Sequence, residues 1–499
     1  MLEMQGANNV IDLVKKTVLL LLYIVFAAYI LTYTAADPDL WGYLAFGRLF
    51  WESGRFPYQD VFAYLPTHDT WVYHEWLTGV LFFPIYEKYG AAALQFLKYS
   101  MGLATMGLIF MTAVRRGADF YSGMLVLFVI SGILEFGYSP VRAQIFTYFF
   151  FAFILYLLET TRITKQWKAL WWIIPIQTLW CNLHGGFVVG LGLIAVYAAG
   201  EALARKPSVP YVIVLVFSSL ATLINPYGIE YWSFFARSLP MPRPELVEWF
   251  SVYAVYKYGI LNNFAVIYLL IIIIFLVLLL WWRKPRELTV YLVLGLMLFL
   301  GLKQQRHLCF FLLLAGAYMP VWLSLFLNKM KSDVLIKGFL DRIGWKTPMV
   351  CAVVLAFILT VKIIKQNPLR LTLPSQPNKD KKASVYYPTG AVSYIKEQGL
   401  LGNILTEFHW GEYLIWELSP LCRVSLDGRY EQVYPERLTR EYFDFIFCRR
   451  GWRDFLTTYP PNMILIKNGS KLSNALIKEY GWKQIYTDSG AVLFLRCLD

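Results

Sequence analysis

The sequence predicts a polytopic α-helical membrane protein: about eleven transmembrane helices, interfacial helices in a long first outer loop, and a small C-terminal α/β domain outside the membrane. Three observations lead there. The 499 residues are 58% hydrophobic and only 16% charged, with mean hydropathy +0.49, where a soluble protein carries roughly a quarter charged residues. Apolar runs long enough for a bilayer recur from the first residues to about residue 365. The short connections between them alternate in charge in one consistent sense.

The runs read as spans are 15–35, 92–113, 120–137, 143–158, 169–182, 187–203, 209–225, 263–282, 287–302, 308–327 and 348–365. An odd count puts the N-terminus in the cytoplasm and the C-terminus outside. The connections then predicted to be cytoplasmic hold Arg115-Arg116, Arg162 with Lys165 and Lys168, Arg205-Lys206, Arg283-Lys284 with Arg286, and Lys329 through Lys346. All are basic, as the positive-inside rule requires. Glu75 to Tyr89 is too short and too polar at its start to span, so it reads as an interfacial helix. Counting it as a span would move Arg115-Arg116 outside and invert every later loop. Thr34-Ala35-Ala36 has the small residues of a signal-peptide cleavage site, but the rest of the chain is itself a bundle and favours retention of the first span.

Residues 1–365 therefore form the expected membrane domain, with 36–91 as its first outer loop. Residues 366–383, polar and rich in Pro and Lys, read as a linker, and 384–499 as the α/β domain. In that domain Asn403–Thr406, Arg423–Leu426, Met463–Ile466, Gln484–Thr487 and Val492–Leu495 read as strands. Pro435–Phe447 and Lys471–Tyr480 read as helices. Cys181, Cys309 and Cys351 lie in or beside spans as small apolar residues, and Cys422, Cys448 and Cys497 permit at most one internal disulfide. The net charge of +13 belongs to cytoplasmic loops and phospholipid contact. No basic stripe or nucleic-acid motif accompanies it, so nucleic acid is not an expected partner. Most of the 18 Trp and 34 Tyr suit interfacial belts.

Polar chemistry concentrates on the outer side. Asp37-Pro38-Asp39 stands where the first span emerges. Capping of a helix over Leu40–Trp51 by Asp39 would explain one carboxylate, not a Pro-spaced pair. Gly137-Tyr138-Ser139-Pro140-Val141-Arg142, Asn182-Leu183-His184-Gly185-Gly186 and Lys303-Gln304-Gln305-Arg306-His307 are outer connections carrying cations and imidazoles. Asn225-Pro226-Tyr227-Gly228, mostly a turn and cap, opens a longer one containing Glu248-Trp249. Arg142 on its own could simply hold a lipid phosphate, and Gly185-Gly186 reads as close helix packing. Lys98 and Glu135, both just under the outer surface, either snorkel or line a wet cavity.

At these residues the chain resembles a known group. Asp37-Pro38-Asp39-Leu40-Trp41, then Ser53-Gly54, Pro57 and His74-Glu75-Trp76-Leu77, is similar to the first outer loop of GT-C class glycosyltransferases. The likeness is to an uncharacterised subfamily of the bacterial branch related to protein O-mannosyltransferases and lipid A aminoarabinose transferases. Val141-Arg142-Ala143-Gln144, Trp180 to Gly186, Asn225 to Gly228, Gly411-Glu412-Tyr413-Leu414 and Asp427-Gly428-Arg429 extend it along nearly the whole chain. In better-known relatives the Asp at the mouth is commonly followed directly by Glu; here Leu40 follows Asp39, so Asp37 would have to supply the second carboxylate.

The resemblance implies a multi-pass enzyme of the bacterial inner membrane that works on the outer face. Its donor would be a sugar on polyprenyl phosphate or diphosphate, its acceptor a protein, lipid or glycan, and transfer would invert the anomeric carbon. Asp39 is then the expected general base, with Asp37 orienting it or helping to hold a divalent cation, Mg or Mn. Arg142 and Arg306 are expected to bind donor phosphate, with His184 and His307 as secondary candidates. His74, Glu75, Trp76, Asn182, Glu248 and Trp249 would meet acceptor or sugar; Asp427 and Arg429 would too, unless they are a plain turn. Two rival classes share the composition. A lipid-linked sugar transporter should carry ionisable groups near the bilayer midplane, and a non-catalytic scaffold in glycoconjugate assembly should tolerate loss of both acids.

Overall fold

The structure, a computed structural model, describes residues 2–138, 140–258, 263–281, 287–331, 346–377 and 385–497. Each apolar run read as a span overlaps a helix among the described residues. In chain order these are α1 (Leu2–Ile30), α3 (Trp76–Arg115), α4 (Phe120–Tyr138), α5 (Gln144–Thr164), α6 (Ile173–Leu183), α7 (Phe187–Leu203), α8 (Val209–Ala221), α11 (Asn263–Trp281), α12 (Leu288–Lys303), α13 (Leu308–Lys331) and α14 (Lys346–Gln366). Between them lie α2 (Pro38–Ser53), α9 (Ile229–Ser238) and α10 (Val252–Lys257). Among the described residues Trp76–Arg115, Gln144–Thr164, Gln305–Met330 and Lys346–Gln366 are long and apolar enough to cross a bilayer, and shorter apolar helices accompany them. Eleven crossings do not follow from these lengths. α6, α8 and α12 have 11, 13 and 16 residues, below the roughly 20 a bilayer needs. Ser139, Arg283, Lys284, Arg286 and most of Lys329–Lys346, which entered the charge argument, lie outside the described residues, as does the Glu135 side chain.

α3 is two helices in one. Gly90 takes φ 69° and ψ −169°, a conformation that breaks the ladder, and the division expected between a helix ending at Tyr89 and a span from 92 falls on that residue. The first half packs against α2 at backbone distance. A Cβ on Gly47 would strike the carbonyl oxygen of Gly79, and one on Gly79 would stand 2.7 Å from the Tyr43 carbonyl. Larger residues there would push the helices apart.

The C-terminal residues form a five-stranded sheet of β1 (Gly402–Thr406), β2 (Cys422–Val424), β3 (Met463–Lys467), β4 (Trp482–Thr487) and β5 (Ala491–Arg496). Its order is β2-β1-β3-β5-β4. β1 runs parallel to β2 and β3, and β5 antiparallel to β3 and β4. All five strands overlap their sequence expectations. So do the helices α17 (Glu436–Ile446) and α19 (Lys471–Leu476), while α15 (Thr389–Glu397), α16 (Gly411–Leu418) and α18 (Trp452–Thr458) had no such expectation. All six cysteines are free.

This sheet is bonded to the loop between α2 and α3. Tyr64 N donates to the Val424 carbonyl at 3.0 Å, and Val424 N to the Phe62 carbonyl at 2.9 Å. Arg48 lies over the Trp416 ring at 4.4 Å. Residues 367–377, read as linker, touch the mouth of α1: Ala36 N donates to Thr372 O at 2.9 Å, and Thr372 N to Thr34 O at 2.7 Å. Residues 378–384 lie outside the described set.

Candidate functional site

Asp37, not Asp39, is the N-cap of α2. Its extended backbone (φ −86°, ψ 142°) and the proline at the first helical position fit the cap, and its Oδ1 accepts from Asp39 N at 3.1 Å. The sequence expectation was one residue pair too late because Pro38, able to start a helix, fixes the start ahead of Asp39. Asp39 is thereby free to turn toward Arg142, the second residue before α5 begins.

Arg142 ties three carboxylates together. It forms an ion pair with Asp39, its Nε lies 3.3 Å from Asp37 Oδ1, and its Nη1 lies 3.7 Å from Glu248 Oε2. The other oxygen of Glu248 is 3.4 Å from Arg306 Nη1. Trp249 is held between guanidiniums, with Arg243 at 4.0 Å and Arg306 at 4.3 Å from its ring centre. Thus α2, the start of α5, the loop before α10 and the turn before α13 converge on one charged cluster.

Glu75, at the N-cap of α3, adjoins it. Tyr43 OH donates to Glu75 Oε1 at 3.3 Å, His184 Nε2 stands 3.4 Å from the same oxygen, and His74 Nε2 is 4.0 Å from Oε2. Gly186 N–H donates to His184 Nδ1 at 2.9 Å, so the proton of a neutral ring sits on Nε2, facing Glu75. The Gly185-Gly186 pair is what lets the imidazoles in. A Cβ on Gly185 would meet His74 Cδ2 at 2.8 Å, and one on Gly186 would meet Thr147 Oγ1 at 2.5 Å and His184 Nδ1 at 2.9 Å.

A third side is closed from the C-terminal sheet. Glu412, at the start of α16, fits between two glycines, Gly42 of α2 and Gly428. Its Oε2 is buried with no hydrogen-bond partner among the described residues. A Cβ on Gly428 would also lie 3.4 Å from Asp39 Oδ1, so this loop reaches the catalytic candidate.

Burial shifts these groups. It pushes the Asp37 carboxyl up to about 7, with Asp39 adding to the rise and Arg142 opposing it. It pushes Glu75 up to about 8, again helped by Asp39. Glu412 is held well above the carboxylate range by burial, then by Asp39 and Asp427. Burial would raise Glu248 too, but Arg306 and Arg142 outweigh it and hold that carboxyl low. Burial also takes His74 down to about 3 and His184 well below the imidazole range. The cluster combines anionic and proton-holding carboxyls, neutral imidazoles and three guanidiniums, which is the equipment for taking a proton beside an anionic group.

The structure therefore gathers Asp37, Asp39, Arg142, Glu248, Arg306, Trp249, Glu75, His74 and His184. His307 stands beside Arg306, with its ring stacked on Phe310 and its Nδ1 lacking a hydrogen-bond partner among the described residues. Asn182 and Trp76 serve each other: Trp76 Nε1 donates to Asn182 Oδ1 at 2.8 Å, and Asn182 Nδ2 to the Ile224 carbonyl at 2.9 Å. Asp427 and Arg429 are not open groups. Arg429 is buried against Asp60, Asp427, Phe62 and Trp71, so of that turn Gly428 is the residue that reaches Asp39. Asn225 to Gly228 is the turn expected, with Tyr227 N donating to Asn225 Oδ1 at 2.7 Å and Gly228 at φ 56°. Lys98 is buried and donates to the Tyr33 carbonyl at 2.9 Å. Glu412 and Tyr43 were missed; Glu412 stood among the tail residues quoted for the resemblance, and that was the available signal.

No family model and no curated sequence matches the chain. Solved structures do. The oligosaccharyltransferase of Archaeoglobus fulgidus in its apo form aligns over 97% of this chain and 74% of its own, with TM-score 0.55 and 13% identity. ArnT from Cupriavidus metallidurans bound to undecaprenyl phosphate aligns over 97% of both chains, with TM-score 0.53 and 14% identity. Both are membrane glycosyltransferases of the GT-C class, and the chain shares their fold.

Proposed function

We propose that this chain is a membrane glycosyltransferase that moves a sugar from a polyprenyl-phosphate donor to an acceptor hydroxyl on the outer face of a bacterial inner membrane. The observation that carries the reading is the convergence of Asp37, Asp39 and Glu248 on Arg142, with Arg306 next to it. The undecaprenyl phosphate held by ArnT, which shares the fold from end to end, supports a polyprenyl-phosphate donor.

The bond from the anomeric carbon to the donor's phosphate oxygen breaks as the acceptor oxygen attacks from the opposite face, and the configuration inverts. Asp39 takes the acceptor's proton, a contribution of about 10²–10⁴ in rate. Arg142 fixes the Asp39 carboxylate, and Arg142 and Arg306 face the phosphate that leaves with the bonding electrons. Trp249 lies between Arg243 and Arg306, so it offers a sugar a stacking face only once Arg306 turns from the ring to the phosphate.

A divalent cation does not fit this arrangement as it stands. Among the described residues no group of three or more His, Cys, Asp or Glu side chains is placed to hold a metal, and the space between Asp37 and Asp39 is taken by the Arg142 guanidinium. No step is assigned to one. The test is transfer of labelled sugar from a polyprenyl-phosphate donor by the purified chain in vesicles. Wild type should transfer and Asp39→Asn should not; equal transfer by both would remove Asp39 as the base.

A further inference from the structure

A second charged cluster lies at the other end of α5. Arg142 precedes that helix and Arg162 sits in its last turn, so the two are roughly 30 Å apart at 1.5 Å per residue. Arg162 Nε is 2.8 Å from Glu201 Oε1, and its Nη1 is 3.3 Å from Glu287 Oε2. Arg116, which caps α3, pairs with Glu159 and lies 2.6 Å from Glu287. Thr289 and Tyr197 donate to Glu201 and Glu159 at 2.8 and 2.5 Å. The buried acids Glu159 and Glu201 are thus engaged, Glu287 is paired with Arg116 and Arg162 at the exposed edge of the cavity, and among the described residues Arg116 Nε is buried with no hydrogen-bond partner.

Above this floor opens a cavity of about 450 Å³. One wall is apolar, built from Ile163, Val321, Trp322 and Leu325; Lys165 and Lys206 supply cations beside it. Both lysines are exposed, and neither has a carboxylate within ion-pair distance among the described residues. Each follows the end of a helix, where a cation gains about 0.3–1 kcal/mol from the helix dipole. That gain accounts for a lysine at either place, not for two beside one half-apolar cavity.

We infer that this cavity binds the phosphate of an anionic membrane phospholipid between Lys165 and Lys206, with the acyl chains along the Ile163–Trp322 wall. Basic pockets between helices near a membrane surface hold phosphate headgroups in this way, and a charge-assisted contact from each ammonium supplies the preference for an anionic lipid. The inference does not depend on the chemistry proposed at Asp39, which lies at the opposite end of α5.

The full chain, purified in detergent, would be offered phosphatidylglycerol or phosphatidylcholine and the retained lipid counted by native mass spectrometry. Wild type should retain phosphatidylglycerol at least fivefold over phosphatidylcholine. Lys165→Ala/Lys206→Ala should lose that preference, and Lys165→Arg/Lys206→Arg should keep it. Both lysines are on the surface, and an unchanged melting temperature would show that the fold persists. Equal phosphatidylglycerol retention by wild type and the double Ala variant would overturn the site. Displacement of the lipid by inorganic phosphate at low millimolar concentration would overturn the lipid assignment and leave a free phosphate as the ligand.

Discussion

Arg142 and Asp39, 103 positions apart in sequence, form an ion pair that joins the start of α5 to the start of α2. Asp37 and Glu248 face the same guanidinium, so this one side chain sets the geometry of every acid in the proposed reaction. Removing it leaves Asp37 and Asp39 partly buried without that cation, while Glu248 keeps Arg306; a fully buried pair would lose about 3–5 kcal/mol, and the partial exposure here makes the loss smaller. Arg142→Ala should therefore lower the melting temperature as well as transfer. Arg142→Lys should recover most of the stability but little of the rate, because an ammonium cannot reach three carboxylates with a planar fork. Full transfer by Arg142→Lys would show that charge alone is needed.

Glu75 predicts a pH dependence. Its folded carboxyl is pushed up to about 8 from an ordinary 4.5, so the folded chain holds a proton that the unfolded chain releases at lower pH. The stabilisation is complete below about pH 4.5 and is lost as pH rises through 8. The melting temperature of wild type should fall between pH 6 and 9. Glu75→Gln, which keeps the neutral shape, should flatten that fall and be the more stable protein at pH 9. A wild-type profile that rises over this interval would refute the buried proton.

Glu412 is tested through its glycine. Alanine at position 42 would place a methyl 2.6–2.8 Å from the Glu412 carboxyl, an overpacking that costs about 1–3 kcal/mol. In a Glu412→Ala background the same Gly42→Ala change should cost less than half as much, because the carboxyl it strikes is gone. Equal costs in the two backgrounds would mean that the carboxyl is not seated against α2.

How far the sequence spoke depends on the kind of signal each residue carried. The Pro-spaced pair after the first apolar run and the cations in connections expected to lie outside, against the general charge bias, were visible because both are local anomalies. The meeting of Arg142 with Glu248 was not visible, since no periodicity links a loop near 248 to the start of α5. Glu159 and Glu201 were hidden for another reason: single acids inside apolar helices look like tolerated exceptions until Arg116 and Arg162 are seen beside them. Arg429 misled because a turn arginine usually points to solvent, whereas this one fills a space between Phe62, Trp71 and Asp60. The helical runs were legible from hydropathy, but the number that cross the membrane was not, because α6 and α8 stop short of bilayer length.

Metal dependence separates two readings of the Asp37–Asp39 pair. With Arg142 seated between them, chelation by EDTA should leave the transfer rate unchanged. Loss of transfer on chelation, restored by Mg or Mn, would require Arg142 to swing away and would return the pair to a cation.

Arg306 offers the sharpest test of the donor site. Among the described residues its guanidinium pairs with one oxygen of Glu248 at 3.4 Å and covers the Trp249 ring, so it is less committed than Arg142 and better able to turn to a phosphate. Arg306→Ala should weaken use of a polyprenyl-phosphate donor by about 1.5–3 kcal/mol, the scale of a hydrogen bond to a charged group. Arg306→Lys should rescue only part, since it keeps the charge and loses the fork. An arginine that merely anchored the loop to lipid headgroups would be served as well by lysine, and donor affinity would not move. Titrating the donor against wild type, Arg306→Lys and Arg306→Ala reads the difference directly. Equal affinities across the three would take Arg306 out of the site and leave the departing phosphate to Arg142.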